Sequence, residues 1–170
     1  MANNKDFKVK NGLKANSYQE GLGTVISGNT SYDIANASYD NITGNISGQN
    51  SSPMGLYFKS DGLQLFVVGA GGDEVNQYSL STAWDLSTIS FVRVLALSET
   101  IPSGIFLKDD GTKMYIAGYG GDNVYEHTLS TAYDISTGTI THTLDVSSID
   151  TIPFGLFFKP DGTKMYFSGD

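Results

Sequence analysis

The sequence predicts an all-β fold in which four-stranded antiparallel sheets follow one another in tandem. A segment that opens Pro-x-Gly occurs at Pro53, Pro102 and Pro153, with steps of 49 and 51 residues. In each copy an Asp-Gly dipeptide separates two apolar runs, which is typical of a β-hairpin. A repeat of about 50 residues cannot bury its own apolar faces, so neighbouring repeats must stack. Together these features predict propeller-type blades, with a small separate β-hairpin at the N-terminus.

One repeat, residues 101–150, contains four candidate strands. The apolar runs 105–107 and 114–117 do not alternate, so both are expected to be buried on both faces. A third strand is predicted over 124–129 and a fourth over 139–146. The fourth alternates and is therefore expected at the half-exposed rim of the blade. Its apolar face is predicted to carry Ile140, His142, Leu144 and Val146.

The turn between the first two strands has the same chemistry in every repeat. Aspartate accepts hydrogen bonds from nearby backbone amides, and the glycine after it supplies the positive φ that a tight turn requires. We therefore assign a structural role to these turn residues, which are Asp61, Gly62, Asp110, Gly111, Asp161 and Gly162.

The repeats divide the chain into an N-terminal segment, 1–23, and a blade region, 24–170. Within the blade region, residues 51–100 and 101–150 read as complete blades. Residues 24–50 read as the back half of a blade, because the Tyr-Asp-Ile at 32–34 matches Trp-Asp-Leu at 84–86 and Tyr-Asp-Ile at 133–135. Residues 151–170 read as the front half. Closed propellers use four to eight blades. We therefore expect either a longer chain or an open array that partner chains cap.

The N-terminal segment reads as a hairpin for attachment. A three-residue loop at 10–12 would pair Val9 with Leu13, which places the apolar groups on one side. A lone hairpin is marginal in water, so it needs a partner surface. The alternative is a flexible tail. The residues predicted to make the attachment are Phe7, Val9, Lys10, Leu13 and Lys14.

Charge and composition exclude several classes of protein. The net charge of −8 argues against a nucleic-acid-binding surface. The charge is uneven, with a net +2 in residues 1–20 and −10 in the rest. No run of about 18 apolar residues is present, so no membrane span is predicted. The chain has no cysteine, which excludes disulfides and thiolate metal sites.

No residue pattern of the sequence predicts catalysis, a metal or a cofactor. The two histidines, His127 and His142, lie 15 residues apart on different strands, without the spacing of a catalytic triad or a metal site. Acidic turns at 73–74 and 122–123 lack the terminal Glu of the usual cation loop, so a turn role is preferred. Tyr119, in a turn, is the candidate for contact with a receptor sugar or protein.

Two segments resemble virion structural proteins of tailed bacteriophages, in particular tail fibres and tail appendages. Residues 5–13 (KDFKVKNGL) resemble the short hairpin that opens such fibres at the tail-joining end. Residues 155–166 (GLFFKPDGTKMY) look like propeller repeats of phage and bacterial surface proteins, including lactonase-like ones. The resemblance implies docking of residues 1–20 to other tail proteins, and blades that act as spacer or host-binding module. It also implies a homo-oligomer, with a trimer favoured.

We therefore expect a non-enzymatic virion protein, assembled in the host cytoplasm, that binds tail proteins and a host surface glycan or protein. One alternative is a propeller enzyme of the lactonase or glycan-hydrolase type. That alternative requires a metal or a carboxylate pair at the channel mouth, where the innermost strands offer apolar residues, Tyr and Lys. Another alternative is a bacterial surface scaffold that binds proteins through its blades.

Overall fold

The computed structural model describes residues 26–27 and 37–169. In this part of the chain the regular elements are β-strands and two short 3₁₀ turns, at Leu86–Thr88 and Ile135–Thr137. The predicted all-β fold is confirmed. No helix in the described residues is long and apolar enough to cross a membrane. The predicted N-terminal hairpin lies outside these residues.

The strands form two complete four-stranded antiparallel blades and two half-blades. The N-terminal half-blade pairs β1 with β2, the first blade has the order β3-β4-β5-β6, the second blade β7-β8-β9-β10, and the C-terminal half-blade pairs β11 with β12. The bounds are β1 Ile26–Ser27, β2 Ser38–Tyr39, β3 Pro53–Phe58, β4 Gln64–Gly69, β5 Glu74–Leu80, β6 Ile89–Ala96, β7 Pro102–Leu107, β8 Lys113–Gly118, β9 Asn123–Leu129, β10 Gly138–Asp145, β11 Gly155–Phe158 and β12 Met165–Ser168.

Apolar side chains between adjacent blades form the core. Phe66 and Val68 of the first blade lie in one cluster with Leu107, Met114 and Ile116 of the second, and all five are fully buried. Burial of each such side chain contributes about 1.5 to 3 kcal/mol. Stacking of the blades is therefore the main source of stability.

The Pro-x-Gly motif lets the innermost strands approach one another closely. A Cβ atom added at Gly55 would lie 2.6 Å from the Ser103 carbonyl oxygen, and one added at Gly104 would collide with the Phe154 carbonyl oxygen. Any other residue would force β3, β7 and β11 apart. The glycine that recurs in the sequence is thus required by contact between blades.

Polar contacts also tie the first blade to the loop between β9 and β10. Gln77 Nε2 donates to the Tyr133 carbonyl oxygen at 2.8 Å, and Gln77 Oε1 accepts from the Ile135 amide at 3.4 Å. The Lys59 ammonium lies 4.9 Å from the centre of the Tyr133 ring, as in a cation–π contact. One blade therefore positions the outer loop of the next.

A salt bridge extends this contact to the rim. Arg93 Nη1 pairs with the Asp134 carboxylate and donates to Ser136 Oγ at 3.0 Å. Asp134 also caps the 3₁₀ turn, since its carboxylate accepts from the Ser136 amide at 3.0 Å. The same aspartate thus stabilises its own loop and the joint between two blades.

The predicted alternation of the fourth strand is wrong because β10 contains a β-bulge. Ile140 pairs with His127 but His142 pairs with Glu126, which leaves Thr141 as an extra residue. Ile140 therefore lies on the His127 face, whereas His142 and Leu144 lie on the opposite face. Val146 is buried beyond the end of the strand. The rest of β10 is largely exposed on both faces.

The Asp-Gly turns have the expected local chemistry. Asp110 Oδ1 accepts from the Thr112 amide at 3.0 Å, and Gly111 has φ +70°. Lys108 Nζ adds a contact of 2.5 Å to the Asp110 carboxylate. The hydrogen bonds of Asp61 and Asp161 to the amides two residues later are also 3.0 Å long.

Substitution of Gly111 by alanine tests the contact between this turn and the loop after β9. A Cβ atom at Gly111 would collide with the Tyr133 ring, whereas one at Gly162 has nothing within 4 Å, although both glycines have φ near +70°. We expect Gly162→Ala to cost about 1 kcal/mol, from backbone strain alone, and Gly111→Ala about 3 kcal/mol. Urea unfolding measures both, and equal losses would contradict the assignment.

The contribution of the salt bridge between blades is measured by comparing Asp134→Ala with Asp85→Ala. Each aspartate caps its 3₁₀ turn, so both variants lose about 1 kcal/mol. Asp134→Ala should lose about 1 kcal/mol more, because Arg93 also loses its partner. If the two midpoints of thermal unfolding coincide, the salt bridge contributes nothing.

Candidate functional site

A groove runs across the starts of the three innermost strands, on the side where the propeller axis lies. Its volume is about 410 Å³. Because the Pro-x-Gly motif recurs, each strand contributes the same three positions to the wall. The lining residues are Met54, Gly55, Leu56, Ser103, Gly104, Ile105, Phe154, Gly155, Leu156 and Ser168.

Ser103 is the buried polar side chain in the wall of this axial groove. It is 4% exposed, and its hydroxyl lies 2.6 Å from the Pro153 carbonyl oxygen and 3.2 Å from that of Ala117. The shorter contact is the better hydrogen bond, because a hydroxyl has one proton to donate. The bond joins the second blade to the C-terminal half-blade. Ser103 thus holds the groove in shape.

The three connections that enter the innermost strands carry polar acceptors three residues before Pro53, Pro102 and Pro153. They precede the residues that line the groove, at the end called its mouth below. Asn50, Glu99 and Asp150 occupy equivalent positions, and each accepts a hydrogen bond from the amide two residues later. The acceptor–nitrogen distances are 3.0 Å for Asn50, 3.2 Å for Glu99 and 2.8 Å for Asp150. Sequence analysis missed this set. Alignment of the repeats on Pro53, Pro102 and Pro153 would have found it.

Glu99 differs from its equivalents because it is a buried carboxylate. It is 2% exposed, and its Oε1 also accepts from the Gly121 amide at 3.1 Å. Its Oε2 is buried and has no hydrogen-bond partner within the described part of the chain. The pKa of Tyr125 is raised, first by burial and then by the negative charge of Glu99. The connection that enters β7 therefore holds a buried carboxylate against the turn after β8.

Tyr119 lies at the same mouth but is half-buried rather than fully exposed. Its ring centre is 5.4 Å from that of Phe154, which lines the groove, and its amide donates to the Ile101 carbonyl oxygen at 3.3 Å. The contact with a receptor stays a prediction. The structure adds that Tyr119 and Phe154 form one aromatic surface at the mouth.

The other residues singled out by sequence lie elsewhere. The Asp-Gly turns are at the opposite end of the innermost strands from the mouth. The predicted attachment residues Phe7, Val9, Lys10, Leu13 and Lys14 lie outside the described residues. His127 is 4% exposed, and burial lowers its pKa, which fits a core role. No group of three or more potential metal ligands occurs in the described ranges 26–27 and 37–169.

A second polar cluster lies on the second blade, where β9 and β10 meet. Glu126 Oε1 is 2.7 Å from Lys113 Nζ and 3.1 Å from both His142 Nδ1 and Thr141 Oγ1. Partial burial of Glu126 opposes ionisation, but the hydrogen bonds from Lys113, His142 and Thr141 outweigh it and lower its pKa to about 2. The β-bulge places Thr141 and His142 beside the Glu126 carboxylate, and Lys113 reaches it from β8.

Comparison with known proteins identifies the fold. No protein-family model and no curated protein sequence matches the chain. It is similar to the structure of a proposed 6-phosphogluconolactonase from Bacteroides fragilis, with 16% identity and a TM-score of 0.55 over 81% of this chain and 35% of that one. A proposed 6-phosphogluconolactonase from Bacteroides uniformis has 13% identity and a TM-score of 0.56 over 82% and 39%.

A luciferin-regenerating enzyme is also similar, with 17% identity and a TM-score of 0.51 over 78% of this chain and 39% of that one. The chain therefore spans well under half the length of each of these structures. At such low identity the likeness shows the fold alone, which is that of β-propeller-type proteins.

The low pKa of Glu126 predicts how stability depends on pH. An ordinary unfolded glutamate has a pKa near 4.3. The pKa of Glu126 is lower in the folded chain, so its ionised carboxylate stabilises the fold. This stabilisation is complete above about pH 4.3 and is lost as the pH falls to about 2. Glu126→Gln should lower the free energy of unfolding by about 1 to 2 kcal/mol at pH 7 and by little at pH 2.5. Urea unfolding at both pH values measures the difference.

The matched control is Glu74→Gln. The Glu74 carboxylate accepts from Asn76 Nδ2 at 3.0 Å instead of forming a salt bridge with a lysine. This variant should keep the pH dependence of the wild type. If Glu126→Gln loses the same free energy at both pH values, the three donors do not lower the pKa of Glu126.

Proposed function

We propose that this chain belongs to a propeller enzyme of the lactonase type, with its active site at the mouth of the axial groove. The observation that carries the proposal is the buried Glu99 carboxylate with its unpartnered oxygen. Buried polar atoms without a partner are uncommon in native proteins, and a catalytic role is one explanation for them. The likeness to proposed lactonases supports the choice of reaction.

Lactone hydrolysis requires a proton acceptor and a surface that binds the lactone. In this reaction water adds to the lactone carbonyl carbon, the ring C–O bond breaks, and a hydroxy acid is formed. The attacking water must lose a proton, and we assign the Glu99 carboxylate as its acceptor; the same proton then passes to the ring oxygen that leaves, which becomes the hydroxyl of the product. The rings of Tyr119 and Phe154 provide an apolar surface for the C–H face of a sugar lactone. Asp150, at the equivalent position of the next connection, is a second carboxylate at the mouth.

The test is hydrolysis of δ-gluconolactone and 6-phosphogluconolactone by the purified full chain. Glu99→Gln keeps the hydrogen bonds to the Ile101 and Gly121 amides but cannot accept the proton, so kcat should fall at least about 100-fold with little change in KM. Trp84→Ala is the control, because this exposed side chain lies at the opposite end of the blades. Rates equal to the uncatalysed reaction would refute the proposal.

A second proposal is attachment to a virion tail through residues 1–20, with the blades as spacer or host-binding module. It is favoured by the charge difference between this segment, at +2, and the rest of the chain, at −10. Its partners would be other tail proteins and a host surface glycan or protein.

Deletion of residues 1–20 distinguishes the two proposals. If the segment joins the protein to a tail, the truncated chain should fail to enter particles and should keep any lactone hydrolysis. Normal incorporation of the truncated chain would contradict the attachment proposal and leave the enzymatic one unaffected.

A further inference from the structure

The mouth of the axial groove differs in composition at the two joints between innermost strands. The first joint lies between β3 and β7, and the second lies between β7 and β11. Three equivalent positions of the repeat carry different residue types at the two joints. The first joint has Asn50, Ala70 and Ser103 at these positions, and the second has Glu99, Tyr119 and Phe154. Two aromatic rings and a carboxylate at the second joint thus replace two small side chains and an amide at the first.

The fold does not require this replacement. The innermost strands approach closely at both joints, because a glycine of the Pro-x-Gly motif lies against a carbonyl group of the next strand. Asn50 and Glu99 also accept the same hydrogen bond, from the amide two residues later, at 3.0 Å and 3.2 Å. Sites are commonly added to a fold by substitutions that leave its backbone unchanged. The three side chains of the second joint are therefore candidates for binding a ligand.

The two aromatic rings of the second joint lie together at the groove. The centres of the Tyr119 and Phe154 rings are 5.4 Å apart, and their planes are inclined by 51°. Phe154 is one of the residues that line the groove. The face of an aromatic ring carries partial negative charge and attracts a cation that lies within about 6 Å of its centre. Two rings this close together can attract the same cation.

The Glu99 carboxylate places a negative charge next to these rings. Glu99 Oε1 accepts from the Ile101 amide, and the Ile101 carbonyl oxygen accepts from the Tyr119 amide at 3.3 Å. A Cβ atom added at Gly118 or Gly120, the neighbours of Tyr119 in the chain, would collide with the Glu99 side chain. The carboxylate therefore lies beside the backbone that carries the Tyr119 ring.

Within the described part of the chain, Glu99 forms hydrogen bonds with backbone amides and no ion pair. Its Oε1 accepts from the amides of Ile101 and Gly121, and its Oε2 is buried without a hydrogen-bond partner there. A buried charge without an opposite charge beside it costs free energy. A cation bound at the rings would supply that opposite charge, whereas an anion at the same place would be repelled. The second joint therefore favours a positively charged ligand.

We infer that the second joint binds an organic ammonium ion, with the cation against the rings of Tyr119 and Phe154 and the Glu99 carboxylate nearby. Metal ions such as Ca²⁺ prefer oxygen ligands, whereas ring faces suit a cation that carries methyl groups. Binding of the cation requires no hydrolysis, so the inference goes beyond the proposed function. If both hold, the substrate is a lactone that carries an ammonium group.

The test compares two ligands of the same shape by isothermal titration calorimetry with the full chain. One ligand is choline, and the other is its neutral analogue, in which a tert-butyl group replaces the trimethylammonium group. Choline should bind at least about tenfold more tightly, because the ring faces and the Glu99 charge attract only the cation. Equal affinities for the two ligands, or no binding of choline at millimolar concentration, would overturn the inference.

Three variants test the residues of the joint. Tyr119→Ala introduces the residue that the first blade has at the equivalent position, so the turn should stay folded. Phe154→Leu keeps an apolar side chain and removes the ring, and Glu99→Gln removes the charge. Each should weaken choline binding at least about fivefold. Phe154→Leu should change the binding of the neutral analogue less than about twofold, because that ligand gains nothing from the charge of the ring face.

Phe91→Leu is the matched control, because it makes the same change at a ring that is 44% exposed on the outer strand β6. It should bind choline as the wild type does, and circular dichroism checks that every variant keeps its strands. Equal choline binding by Phe91→Leu, Phe154→Leu and Tyr119→Ala would contradict the inference. Lactone hydrolysis without choline binding would also contradict it and leave the proposed function intact. Choline binding without hydrolysis would refute the proposed function alone.

Discussion

A four-stranded antiparallel sheet with apolar residues on both faces is stable in water only when each face is covered. In this chain the strands of the second blade are buried on one side against Phe66 and Val68 and on the other against Leu156 and Phe167. The spacing of the innermost strands, the position of the loops and the groove all follow from this stacking. Phe157, at the equivalent position of the C-terminal half-blade, is exposed because no blade among the described residues covers it.

The groove and its mouth are products of stacking rather than of any one repeat. Each innermost strand contributes three similar residues, and a wall forms only when β3, β7 and β11 lie side by side. The connections that enter these strands pass beneath the glycine-rich turns after β4 and β8. Asn50 and Glu99 lie against Gly71 and Gly120 of these turns, which explains why both side chains are buried. Variation at this repeated position therefore changes the chemistry of the mouth without changing the fold.

Much of the architecture could be predicted from the period and from turn chemistry. The Asp-Gly turn at Gly111 is local, and so is its φ of +70°. The alternation assigned to β10 failed because a β-bulge at Thr141 depends on pairing with β9, which no spacing in β10 itself reveals. Glu99 was missed because its burial depends on the turn of the blade that follows it. The structural relatives agree with the predicted fold.

By itself the amino-acid order determined the repeat, the four strands in each unit and the turns, because these depend on contacts between residues close in the chain. The tertiary structure decided which faces are covered, which side chains meet at the mouth and which surfaces stay open. Those outcomes depend on contacts between residues about 50 positions apart, such as the hydrogen bond from Ser103 to Pro153. The sequence of a single repeat does not reveal which residues of the next repeat it will contact.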